Sequence, residues 1–168
     1  MNLYDTETDC QSVNSTDAYY IHQGKMFQIP FYTASKAAAA SESVSFKTPV
    51  KGKIILKPIQ AFAVANTLLI TLTEGAVMSS GTVKTPVNMN RNSGNTSLVQ
   101  AYSAATLTTA GTVLDYIPCV SGGNTNNGES GLSNEIELKP DTTYSLNFAN
   151  VGASTASVFY YVIRWIEK

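Results

Sequence analysis

The chain has 168 residues, a formal net charge of -1 and only 14% charged side chains, well below the ~25% of ordinary soluble domains. Without a basic surplus or a Lys/Arg block, recognition of nucleic acid through phosphate neutralisation is excluded. The length suits one compact unit, divided as an N-terminal arm over residues 1–22 and a single β-sandwich domain over residues 23–168.

The first stretch, MNLYDTETDCQSVNST, is acidic and polar, without the basic and apolar regions of a signal peptide, and is expected to be an extended arm. His22 follows it beside a turn at Gly24. The run Ala37 to Ala40 favours helix but is too short to hold one without packing. Period-two alternation then predicts strands. SVSFK places Val44 and Phe46 on one face, and KGKIILK sets Ile54 and Leu56 opposite Lys53 and Lys57. Lys51, Lys53 and Lys57 together read as a solvated basic stripe. The uncharged run over residues 58–73 is broken by Gln60, Asn66 and threonines, and is shorter than the ~20 apolar residues of a membrane helix. Its last part, NTLLITLTE, sends Leu68, Ile70 and Leu72 one way and Thr67, Thr71 and Thr73 the other.

Weaker strands are expected near Leu98 and over TVLDYI. SGGNTNNGESG reads as a Gly- and Asn-rich loop and KPDTT as a tight turn. EIEL and TTYSLNFA alternate again, with Tyr144, Leu146 and Phe148 inward. The last strand, SVFYYVIRWIEK, is apolar on both faces, with Phe159, Tyr161, Ile163 and Trp165 on one and Val158, Tyr160, Val162 and Ile166 on the other. A half-exposed strand is not normally apolar on both sides. Either the chain covers both faces itself, or the Phe159, Tyr161, Ile163 and Trp165 face is an oligomer interface. Eight or so short strands with polar turns predict an all-β, antiparallel, jelly-roll-like β-sandwich.

The chemistry of catalysis is sparse. His22 is the one histidine, and no GxSxG, HExxH, P-loop or EF-hand pattern occurs. Glu74, Asp115, Glu129 and Asp141 are scattered, and Glu74 and Asp141 sit at turns. Cys10 and Cys119 have no metal-ligand spacing and read as isolated thiols of a reducing compartment, with a long-range disulfide as the alternative. No catalytic residue, cofactor or metal is expected, so the reading is of a protein that is not an enzyme. TPVNMNRNSGNTSLVQAY (residues 85–102) concentrates amides around one charge. Asn88, Asn90, Asn92 and Asn95 can satisfy the backbone of a long connection, and Arg91 can act as a planar fork that locks it or meets a partner.

The order of these features resembles the small virion structural proteins of tailed bacteriophages, of the head decoration or cement type. The asparagine-arginine loop after Thr85-Pro86, the T-x-x-G-T-x-L turn and the ELKPDT block before the terminal aromatic strand carry the resemblance, over about residues 41–168. Met89 stands where such proteins often repeat another arginine. The resemblance implies a homo-oligomer, dimer or trimer, that binds the major capsid protein on the capsid exterior after assembly in the host cytoplasm, without membrane or nucleic-acid contact. The alternative expectation is a head-fibre or tail-fibre adhesion module for host surface glycan, since nine tyrosines and many asparagines suit sugar recognition.

Overall fold

The computed structural model describes residues 16–32, 36–63, 66–120, 128–130, 134–151 and 156–168. In chain order these form α1 (Thr16–His22), β1 (Met26–Tyr32), β2 (Ser41–Lys47), β3 (Ile54–Leu56), β4 (Gln60–Ala63), β5 (Thr67–Glu74), β6 (Val77–Lys84), β7 (Val87–Asn88), β8 (Gln100–Thr109), β9 (Thr112–Val120), β10 (Gly128–Ser130), β11 (Ile136–Leu138), β12 (Thr143–Asn150) and β13 (Phe159–Glu167). Two antiparallel sheets pack face to face as a β-sandwich. One runs β10-β4-β13-β1-β7, with β3 beside β13 and β11 beside β3, and the other runs β6-β8-β2-β12-β5-β9.

The core follows the alternation. Leu68, Ile70 and Leu72 of β5 face Tyr144, Leu146 and Phe148 of β12, and all are fully buried. Val44 and Phe46 of β2 continue the layer, which Ile54, Leu56, Phe27 and Ile29 meet from the other sheet. Aromatic contacts join the two sheets. Tyr161 of β13 lies 3.6 Å from Phe148 and 4.9 Å from Phe31, ring centroid to ring centroid.

Three sequence expectations change here. Phe159, Tyr161, Ile163 and Trp165 are at most 3% exposed and belong to this core, so they are not an oligomer interface. Phe159 and Tyr161 have the small Ala63 and Ala61 as partners on β4, which leave room for the rings. The opposite face of β13 is the outward one, with Tyr160 exposed and Val162 half-buried. Second, residues 16–22 are helical rather than an extended arm; residues 1–15, with Cys10, lie outside the described residues. Third, the alanine run makes a turn at residues 38–39, with Ala39 at φ 60, and Asn150 Nδ2 caps it by donating to the Lys36 and Ala37 carbonyls at 3.1 and 3.2 Å.

β5 and β9 run on into β6 and β8. Glu74 pairs with Thr112, and after one short break in each strand Val77 pairs with Thr109, so β6 and β8 continue the same two-stranded ribbon. The break brings Gly111 so close to the other strand that a Cβ there would lie 2.3 Å from the Glu74 carbonyl oxygen. At φ +81 the position also suits glycine. β8 then bends at Ala104, φ 48, and pairs Gln100, Ala101 and Tyr102 with Lys47, Phe46 and Ser45. On the outer side of this sheet Ser45, Ser145 and Thr73 form a buried hydroxyl row instead of a wet surface. Ser45 Oγ donates to Ser145 Oγ at 3.3 Å, and Thr73 Oγ1 to the Ser145 carbonyl at 3.3 Å.

Candidate functional site

The asparagine loop is built against the end of α1. Helix α1 closes with Gly24 at φ +65, where Gly24 N donates to the Ile21 carbonyl and Lys25 N to the Tyr20 carbonyl, both at 2.9 Å. This is the paired bonding of a left-handed helix stop. A Cβ at Gly24 would meet Ser93 Oγ at 2.2 Å, so glycine also permits the loop to close over the turn. Asn88 Nδ2 donates to the Gly24 and Asn95 carbonyls at 3.0 and 3.1 Å, while its Oδ1 accepts from Asn90 N at 2.9 Å. Asn90 Nδ2 reaches the His22 carbonyl at 3.2 Å, and its Oδ1 accepts from Asn92 N at 3.1 Å. Asn95 Nδ2 donates to the Gly24 carbonyl at 3.2 Å. The amides thus tie the loop to itself and to the helix stop, using both their donor and acceptor ends.

Arg91 contributes less than its type allows. It is exposed, and Nη1 reaches the Asn88 carbonyl at 3.5 Å, the outer limit of a hydrogen bond. The stability of Arg91→Ala is therefore expected to stay within about 0.5 kcal/mol of wild type. Asn88→Ala, at a buried site with three bonds, should cost roughly 1–3 kcal/mol. Urea denaturation of both variants checks this, and equal losses would show that the guanidinium holds the loop as much as the amide does.

The far end of the loop is fixed by a residue that the sequence reading passed over. Glu167 of β13 accepts from Ser97 Oγ at 2.5 Å, from Leu98 N at 3.1 Å and from Trp165 Nε1 at 3.0 Å. Between this carboxylate and the helix stop lies an open cleft of 460 Å³, with Lys25, Asn95, Thr96 and Lys168 on its walls.

His22 is exposed. Glu74 binds Lys139 at 2.6 Å and Tyr144 at 2.8 Å, Asp141 binds Lys47 at 2.8 Å, and Asp115 caps the Tyr116 amide at 2.8 Å. The side chain of Glu129 lies outside the described residues. Among the described residues no three His, Cys, Asp or Glu side chains are grouped to hold a metal ion. Cys119 is fully buried, with Sγ 3.4 Å from the Ala61 carbonyl oxygen, and its proposed partner Cys10 lies outside the described residues.

The basic stripe is corrected in part. Lys51 is exposed and Lys53 pairs with Glu137 at 3.0 Å, but Lys57 is buried. Its ammonium sits between Asp17, at 2.7 Å, and Glu135. Burial alone would lower the Lys57 pKa; the two carboxylates outweigh it and raise the value. The outward face of β1 and β13 carries an exposed aromatic pair, Tyr32 (65% exposed) and Tyr160 (46%), with ring centroids 5.1 Å apart. Gln28 and Arg164 lie further along the same face, joined by a 3.3 Å hydrogen bond.

No family model matches the sequence, and no curated protein or solved structure is significantly similar to it. No helix among the described residues is long and apolar enough to cross a membrane.

Proposed function

We propose that this chain is a bacteriophage virion structural protein that binds the outer capsid surface, bridges neighbouring copies of the major capsid protein and stabilises the head against packaged DNA. The observation that carries the reading is the strand order. With β6–β8 set aside, and except for β5 and β9, which are neighbours in one sheet, successive strands alternate between the sheets: β1, β3 with β4, β10 with β11, and β13 in one, and β2, β5, β9 and β12 in the other. Ordered across the sheets as β1-β13-β4-β10 and β2-β12-β5-β9, they support a jelly-roll reading, with the β6–β8 ribbon as an insertion. Jelly rolls serve recurrently as capsid and lectin domains. The resemblance over residues 41–168 supports the first of these uses, and a low-charge surface of hydroxyls, amides and tyrosines suits a broad, non-catalytic contact. Self-association through β13 would use the Tyr160 and Val162 face, since the opposite face is core.

Purified protein mixed with undecorated capsids is expected to co-sediment to saturation at a fixed ratio to the capsid protein. Failure to bind them would overturn the proposal. A second reading, an adhesion module for host surface glycan, draws on the exposed Tyr32 and Tyr160 rings, which offer a flat platform beside Gln28 and Arg164. Retention on host cell-wall polysaccharide, lost in Tyr32→Ala, would select it.

A further inference from the structure

Helix α1 is held differently from the core strands of the sandwich. It contains no buried residue, and a seven-residue helix has little stability of its own. Polar clamps hold it at both ends. At its first turn Asp17 pairs with Lys57. At its last turn the carbonyls of His22 and Gly24 accept from Asn90, Asn88 and Asn95. Between them the Lys168 ammonium lies 5.0 Å from the centre of the Tyr20 ring.

The clamps place α1 over one end of an outward sheet face. Leu56 pairs with Trp165 and points into the core, so Lys57 and its neighbours Glu135 and Arg164 point outward. On the same outward face Met26 pairs with Ile166, and these two are 2% and 1% exposed. Apolar side chains on the outer face of a sheet reach such burial when another element lies on them, and α1 packs on β1. Beyond the helix the face opens to Pro30, Val162, Tyr32 and Tyr160.

We propose that α1 is a detachable strap, which lifts about the Gln23–Lys25 turn and unwinds once released, because seven residues hold little helix alone, while the sandwich stays folded. Lifting uncovers Met26 and Ile166 on the face that also carries Val162 and Tyr160, with the polar Gln28–Arg164 pair between the two apolar patches. The strap opens because polar contacts hold it while none of its own side chains is buried, which is the profile of the low-stability end of a native structure. The inference concerns the chain alone and stands whether or not the protein binds capsids.

Hydrogen exchange on the full-length protein tests it. The Gln23 amide, bonded to the Tyr19 carbonyl at 3.1 Å, reports helix closure, and the Leu146 and Ile163 amides report the sandwich. Gln23 is expected to exchange at least ~100-fold faster than the core amides. Lys57→Met or Asn90→Ala, each releasing one clamp, should speed Gln23 by a further ~10-fold and leave the core rates unchanged. Two variants are used because Lys57 also binds Glu135. Exchange of Gln23 at the core rate, or clamp variants in which Gln23 and the core accelerate together, would show that α1 unfolds only with the whole domain and overturn the strap.

Discussion

Trp165→Asp and Tyr161→Asp are expected to yield no folded protein, neither monomer nor oligomer. Both side chains are almost completely buried between the sheets, where Trp165 stacks with Phe27 at 6.3 Å and Tyr161 with Phe148 at 3.6 Å. An aspartate there loses the ring contacts, which cost about 3–5 kcal/mol in truncations of large aromatics. It also strands a carboxylate away from water at a further cost of several kcal/mol. The sum rivals the 5–15 kcal/mol that holds a whole domain together. Tyr161→Phe is the opposite case. The Tyr161 hydroxyl is buried and finds no partner among the described residues. Removing it while keeping the ring should raise stability by about 1 kcal/mol or leave it unchanged. Circular dichroism and size exclusion of the aspartate variants, with urea titration of Tyr161→Phe, check both halves. A folded, monomeric Trp165→Asp would restore the interface that the packing rules out.

The contrast between those residues and Tyr160 shows what the sequence carried and where it stopped. Alternation alone placed Leu68, Ile70 and Leu72, and Tyr144, Leu146 and Phe148, on inward faces, because a single covered face writes itself into every second residue. β13 is apolar on both sides, so the same rule detected an anomaly without saying which face was inside. That choice depends on the ladder partners, small Ala61 and Ala63 inside and Tyr32 outside, which no local pattern names. Lys57 failed for a similar reason: its carboxylate partners lie 40 residues before it and 78 after it in the chain. The hydroxyl row of Ser45, Ser145 and Thr73 likewise reads as an ordinary wet face, since alternation says which side a residue takes and not whether that side is covered. The asparagine loop was legible as a self-satisfying connection. That its amides also hold the stop of α1 was not, since Asn90 and His22 are 68 residues apart.

Stability is expected to fall at both ends of the pH range, through one shared network at the 139–144 turn. Asp141 takes φ 47 there, and the turn is held by Thr48 Oγ1, which donates to the Lys139 carbonyl at 2.7 Å, and by Tyr144, whose hydroxyl donates to Glu74 and accepts from Lys139 N, each at 2.8 Å. Lys139 and Tyr144 hold the Glu74 carboxyl below its ordinary value, so its contribution is complete above the usual carboxylate range and is lost as pH falls through the folded pKa. Tyr144 behaves in the mirror sense. Burial, then the negative Glu74, pushes its phenol from 10 up to about 12, so its contribution is complete below pH 10 and is lost as pH rises through about 12. That rise corresponds to roughly 3 kcal/mol in all. Tyr161 and Lys57 are raised as well and steepen the alkaline limb, so the Tyr144 share must be read as a difference. The stability gap between wild type and Tyr144→Phe should close by roughly 1 kcal/mol between pH 8 and pH 11, and continue to close above that. At acid pH, Glu74→Gln should flatten the decline that wild type shows below the ordinary carboxylate range. A gap between wild type and Tyr144→Phe that stays constant from pH 8 to pH 11 would mean that the Tyr144 phenol is not held neutral by its burial and by Glu74, and that the turn is secured by Thr48 and the backbone alone.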